Sequence, residues 1–484
     1  MDLSEYAGFD GLGLAELVAK GEVSPRELAI TAVGAISATD DKLKAVVELY
    51  GDRIADLDET QLGGGPFRGV PFLIKDVGGH EAGRKIEFGS RLCEGMLAKV
   101  DTNFIKLLRA AGLNVIGRSN TPEFSIAGSA ENLLYGNTST PWRLGRSAGG
   151  STGGGAAAVA AGMVPLAHGS DIAGSIRIPA AWSGCVGLKP SRGMVSAGPL
   201  IDEAGFGMAM NFVQSKSMRD TAAMMDCLAV PQPGDPFEVR RPGRPFADFL
   251  QPPDKSLKIG LTTAPLIPDA PVDAEVIAAT QAVADFLSGY GYLVEVADPP
   301  FDHVEASLMM IDFWFFGFDK RLDGYAEATG RKVGQDTVEP IVLKIYELAR
   351  SIDPGRFTDA IAWMNGARRE LGAFFETYDV LLSPTAAVPA PAHGLYGLSV
   401  PDMDVAEYIV YADKPVQFCF MYNVMGAPAI SLPLAMHSSG LPIGVQLGAR
   451  PQRDEVLIGL GALLEQAMPW HDRIPPLGVA GSAI

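Results

Sequence analysis

Residues 147–190 read SAGGSTGGGAAAVAAGMVPLAHGSDIAGSIRIPAAWSGCVGLKP, and the reading of that stretch decides both fold and chemistry. Glycine is dense here, as suits a backbone that must come close to something else. Two serines stand out: Ser151 in Gly149-Gly150-Ser151-Thr152-Gly153, and Ser175 in Asp171-Ile172-Ala173-Gly174-Ser175-Ile176-Arg177. Small residues just before Ser175 leave consecutive backbone N–H groups free to converge on one point, as an oxyanion pocket requires. A serine that merely caps a helix would look the same locally. The uncharged run 153–169 between the serines is alanine and glycine rather than leucine or phenylalanine, and short for a bilayer, so it reads as a tightly packed interior helix.

Upstream, 69–76 (GVPFLIKD) is a short apolar run bounded by glycines, as a buried strand would be. It ends in Lys75. Desolvation there would leave a neutral amine able to act as a base, whereas a pair with Asp76 or another carboxylate would make the lysine structural. Two helices open the chain. The first is marked by Leu14, Leu17 and Val18, the second by a capping box at Ser24-Pro25-Arg26-Glu27 ahead of Leu28, Ile30, Val33 and Ile36. Phe104, Leu107, Leu108 and Ala111 form a helix face closed by Gly112, and 114–117 is the next strand. This alternation predicts an α/β sheet. Seven prolines between 231 and 253 mark a Pro-rich surface connection, about 231–256. Beyond it, strands are expected at 257–261, 292–296, 379–382, 429–432 and 444–448, with helices at 273–287 and 454–467.

Composition narrows the partners. Lys+Arg 39 against Asp+Glu 57 gives a formal charge of −18, which repels phosphate backbones and anionic membranes, so neither nucleic acid nor membrane is expected. Cys93, Cys185, Cys227 and Cys419 are scattered, with no CxxC pair and no histidine at ligand spacing. They read as small buried hydrophobes, and no metal or cofactor is expected. The acidic N-terminus MDLSEYAGFD lacks the features of a secretory signal, which predicts a cytoplasmic protein.

Lys75, Gly149-Gly150-Ser151 and 171–179 followed by Gly187-Leu188-Lys189-Pro190 closely resemble the amidase signature family. The likeness extends to 20–28, GVPFLIKD, GRSNTPEF at 117–124, GAPAISLP at 426–433 and GLPIGVQL at 440–447. It implies one domain over 1–484 with a signature core at about 66–220, built on a central twisted mixed β-sheet covered by helices on both faces. It also implies a Ser-cisSer-Lys triad: Ser175 as nucleophile, Ser151 as proton shuttle after a cis peptide at Gly150-Ser151, and Lys75 as general base. The oxyanion donors would be the N–H groups of Ile172, Ala173, Gly174 and Ser175. Gly150, Thr152, Asp171 and Arg177 would support the site, the last two by orienting its loops through buried hydrogen bonds. Three residues depart from the family pattern: Ala148 for Pro, Thr152 for Ser and Ala173 for Gly. The wording SDIAGS resembles the cyclic nylon-oligomer hydrolase branch more than the glutaminyl-tRNA amidotransferase branch. The implied partners are a small-molecule amide and water, with a homodimer left open.

Rival readings remain at this point. The runs 145–149 and 149–153 both match the G-x-S-x-G elbow of α/β-hydrolases, with His393, His437 or His471 to complete a triad, yet no β-branched strand leads into either serine. An amidotransferase subunit is a second alternative, and a carbamate or ester hydrolase would use the same triad. Substrate walls are expected at Phe313-Trp314-Phe315-Phe316-Phe318 and at Phe418-Cys419-Phe420-Met421-Tyr422, giving an apolar pocket suited to aryl or long-chain amides or amide oligomers.

Overall fold

The apolar run with Lys75 at its end is a strand, and a large sheet is built outward from it. The computed structural model describes residues 1–201, 203, 205–400 and 402–481, so the last three positions of the expected domain lie outside the described residues. In chain order the strands are β1 Val46–Leu49, β2 Pro71–Lys75, β3 Asn114–Ser119, β4 Glu131–Asn132, β5 Gly136–Asn137, β6 Leu166–Asp171 and β7 Val186–Lys189. The second half supplies β8 Met210–Ser215, β9 Lys258–Leu261, β10 Leu293–Val296, β11 Val380–Pro384, β12 Ala429–Met436 and β13 Pro442–Ala449. β4 and β5 form a small hairpin; the rest make one mixed sheet in the order β1-β3-β2-β6-β8-β7-β12-β13-β11-β9-β10. β2 is parallel to β3 and β6, and β9 is parallel to β10 and β11. Parallel neighbours need a crossover, supplied by the helix Asn103–Ala110 between β2 and β3 and by Ala274–Tyr290 between β9 and β10. Strands β2, β3 and β7 are buried along their whole length, and in β2 this burial is what gives the continuous apolar run ahead of Lys75.

The capping box at Ser24 forms as expected at the start of Pro25–Leu43, and the closing helix is Asp454–Ala467. The run 153–169 corrects the sequence reading. Its helix, Gly153–Ala161, stops at Gly162 in the left-handed conformation, and β6 begins at Leu166. An uncharged composition cannot divide helix from strand, whereas Gly162 and Pro165 do. The Pro-rich connection contains only the short 3-10 turn Phe246–Phe249. One apolar core lies on the sheet around Phe72, Leu166, Phe212 and Leu447; a second lies among the later helices around Met310, Phe313, Tyr408 and Met421. Ile172 and Ala173 pack against the second. Among the described residues, no helix is long and apolar enough to cross a membrane.

Candidate active site

Leu73 of β2 is opposite Ala167 of β6 in parallel register, so both strands deliver their last side chains to the same edge of the sheet. Lys75 Nζ there lies 2.6 Å from Ser151 Oγ and 2.8 Å from Ser170 Oγ. Burial pushes the Lys75 amine down to about 7, against the opposing pull of Asp171. A lysine with this value is half neutral at neutral pH and has a lone pair to accept a proton. Asp76 is not its partner: that carboxylate accepts the N–H groups of Glu87 and Gly89 and pairs with Arg118. Among the described residues Lys75 has no ion pair with any carboxylate. Behind it, the Lys75 N–H donates to His168 Nδ1 at 3.3 Å, which leaves the ring proton on Nε2, 3.1 Å from Asn211 Oδ1. Burial lowers His168 to about 3, so the ring is a neutral prop.

The peptide Gly150-Ser151 is cis. Gly150 has no room for a side chain, since a Cβ there would lie 2.5 Å from the Ser129 nitrogen. Thr121 Oγ1 donates to the Ser151 carbonyl at 2.9 Å, and the Thr152 hydroxyl bridges the Ser170 backbone at 3.4 Å. Thr152 thus does useful bonding where the family often has Ser. The Thr152 N–H reaches the Ser175 carbonyl at 3.3 Å and brings the two serine loops together. The Ser175 hydroxyl makes no hydrogen bond among the described residues, and Ser175 is 8% exposed against 1% for Ser151 and Lys75. Lys75 and Ser151 are thus directly joined, while the Ser175 loop is tied to the Ser151 loop through the backbone and the Ser175 hydroxyl is unbonded among the described residues.

Asp171 and Arg177 are fully buried and bonded to each other at 2.9 Å. Burial alone would raise the Asp171 carboxyl; the adjacent guanidinium outweighs it and holds the acid well below the usual range. The pair is tied to the loop by hydrogen bonds on both sides. Asp171 accepts the N–H groups of Gly174 at 2.7 Å and Ile176 at 3.2 Å, and Arg177 reaches Gln446 at 2.8 Å and Asn423 at 2.6 Å. The Gly174 bond corrects the expected oxyanion set, because that donor is already spent on Asp171. Ile172, Ala173 and Ser175 keep N–H groups with no acceptor among the described residues. Gly174 itself needs to be glycine: its φ is 124°, and a Cβ would lie 2.7 Å from Cys419 Cβ. Ala173 lies outside the left-handed region, so its methyl is accommodated without backbone strain.

The run 418–422 is also corrected. It is buried rather than a pocket wall, and its Cys419 carbonyl accepts from Arg177 at 2.9 Å, so it braces the loop from behind. The three histidines of the hydrolase alternative are bonded elsewhere: His393 to Thr138, His437 to Ser439, and exposed His471 to Asp472. Sequence reasoning missed Ser170, His168, Asn423 and Gln446. Only Ser170 left a local signal, a hydroxyl next to Asp171 at a strand end. Among the described residues, no group of three His, Cys, Asp or Glu side chains is placed to hold a metal.

The pattern extends through the chain, and the family model described as Amidase matches residues 27–458. The chain belongs to the amidase signature family. As an amidase it is a hydrolase of carbon–nitrogen amide bonds. It is 33% identical to 6-aminohexanoate-cyclic-dimer hydrolase of Paenarthrobacter ureafaciens, over 97% of this chain and 96% of that protein. It is 32% identical to the acylamidase of Rhodococcus erythropolis, over 96% of each. The solved structure of a 6-aminohexanoate cyclic dimer hydrolase complexed with substrate superposes with a TM-score of 0.91 at 33% identity, covering 97% of this amidase and 99% of that chain.

Proposed function

We propose that this amidase hydrolyses small apolar amides, aryl, long-chain or cyclic-oligomer, through an acyl-enzyme on Ser175. The observation that carries the reading is the buried Lys75 amine 2.6 Å from Ser151 Oγ, with an amine value near 7. In the first half-reaction Ser175 Oγ attacks the carbonyl carbon. Its proton passes to Ser151 Oγ, and the proton of Ser151 passes to the neutral Lys75. The oxyanion is held by the N–H groups of Ile172, Ala173 and Ser175. Collapse breaks the C–N bond, and the proton on Lys75 returns through Ser151 to the leaving nitrogen. Water then attacks the ester along the same relay, releasing the acid and restoring Ser175. An ester or carbamate offers the same carbonyl and would be cleaved by the same steps.

The apolar preference rests on Ile172 and Ala173, whose side chains pack against the aromatic second core, and on two relatives named 6-aminohexanoate-cyclic-dimer hydrolase and acylamidase. The chain is read as acting on its own rather than as an amidotransferase subunit, in the cytoplasm, as one domain over 1–484. The test is mass spectrometry of the enzyme quenched during turnover of an anilide. An acyl adduct on the peptide holding Ser175, absent from Ser175→Ala, supports the reading; an adduct on another residue overturns it. Turnover of glutamine at or above the rate for anilides would overturn the apolar preference.

A further inference from the structure

Gly205 and Phe206 lie between β7 and β8, beyond the stretch 147–190, and no step of the proposed reaction uses them. Gly205 has a φ of 56°, and a Cβ built on it would lie 2.2 Å from Ile172 Cδ1. The turn therefore rests on the side chain of a free oxyanion donor. It is also fixed to the same frame: Asn423 Nδ2 donates to Asp171 Oδ1 at 2.9 Å and to the Met208 carbonyl at 3.1 Å, and Arg192 Nε to the Gly207 carbonyl at 2.5 Å. Phe206 has a φ of 55°, a left-handed backbone that a bulky side chain adopts only when its surroundings demand it. One part of the ring packs against Phe357 at 4.9 Å and Phe313 at 5.6 Å between centroids, and 38% of the residue stays exposed. A large aromatic thus follows directly on the turn that rests against Ile172, packed on Phe357 and Phe313 with part of its surface uncovered.

We propose that Phe206 is the specificity-determining residue for the acyl group, its uncovered surface forming the wall against which an apolar acyl chain packs. The proposal rests on Ser175 as nucleophile. The acyl carbon stays bonded to Ser175 through both half-reactions, so a wall fixed to the oxyanion loop holds the acyl group throughout, whereas the amine departs after the first.

The test compares hexananilide with acetanilide in the wild type, Phe206→Ala and Phe206→Leu. The ratio of kcat/KM for the longer over the shorter acyl group should fall about 10-fold in Phe206→Ala and recover mostly in Phe206→Leu, since one to two methylenes of apolar contact are worth that much. Equal losses on both substrates would mean a structural role and overturn the proposal, as would no change in the ratio. Calorimetric binding of the same two anilides to Ser175→Ala and to Ser175→Ala with Phe206→Ala separates the wall from the reaction. About a 10-fold loss of affinity confined to hexananilide keeps the wall even where the mechanism has failed. No such loss removes the wall and leaves the mechanism untouched.

Discussion

Two lysines at the ends of buried strands invite comparison. Lys75 closes β2 and Lys189 closes β7, and burial pushes both amines down to about 7. Their surroundings differ in kind. Lys75 Nζ meets two hydroxyls, Ser151 and Ser170, each able to accept and to give a proton. Lys189 Nζ meets the Pro190 carbonyl at 2.9 Å, which only accepts, while nearby Asp454 is occupied by Ser191. Desolvation makes a neutral amine in either place, but only a hydroxyl partner makes that amine a base with somewhere to take a proton from. A perturbed lysine is therefore a weak sign of catalysis until its neighbour is known.

The largest effect that would break this comparison is loss of turnover. Lys75→Ala should lower kcat by about 10⁴-fold, as removal of a relay member does, while folded Lys189→Met should keep more than about a tenth of it. Steady-state kinetics on an anilide checks both, and equal losses would erase the distinction.

The pH profile sharpens it. In the proposed mechanism Lys75 acts as the neutral amine, so kcat/KM should rise with pH through about 7 and level off above. Ser170 accepts from the Lys75 amine, a bond the charged form makes more strongly, so Ser170→Ala should move that rising limb to lower pH, with a fall in kcat of about 5- to 10-fold for one lost hydrogen bond. In Lys189→Met the limb should stay near its original place. A limb that moves in Lys189→Met and not in Ser170→Ala would reverse the assignment.

The smallest expected effect is on stability. A lysine whose folded value lies near 7, below its unfolded value of about 10.4, binds fewer protons folded than unfolded between those limits. Stability should thus rise with pH through that window and carry the full cost of the buried charge below about 7. Lys75→Met removes that cost and should stabilise by about 1–3 kcal/mol at pH 6, with a smaller gain at pH 9. Denaturant unfolding at both pH values checks the sign, and a loss equal at both would contradict it.

Much of the fold was legible locally. The capping box at Ser24, the apolar β2 and the closing helix Asp454–Ala467 are each written in a few adjacent residues, because capping and periodicity act over one or two turns. The division of 153–169 was misread because burial on all sides erases periodicity. The site divides the same way. Ser151, Ser175, Asp171 and Arg177 lie in one stretch whose spacing is informative, whereas Ser170 acquires meaning only from Lys75, 95 residues away.

The sequence by itself determined the inventory: a glycine-rich stretch bearing two serines, a lysine ending an apolar strand, and an acidic surface poor in sites for phosphate. Only the tertiary structure decided which groups are free to act. It set Lys75 on hydroxyls instead of Asp76, spent the Gly174 N–H on Asp171, and turned 418–422 into a brace for Arg177. The reason is that a hydrogen-bonding group has few partners, and which donor or acceptor takes them is settled by distances between strands and loops that local sequence does not encode.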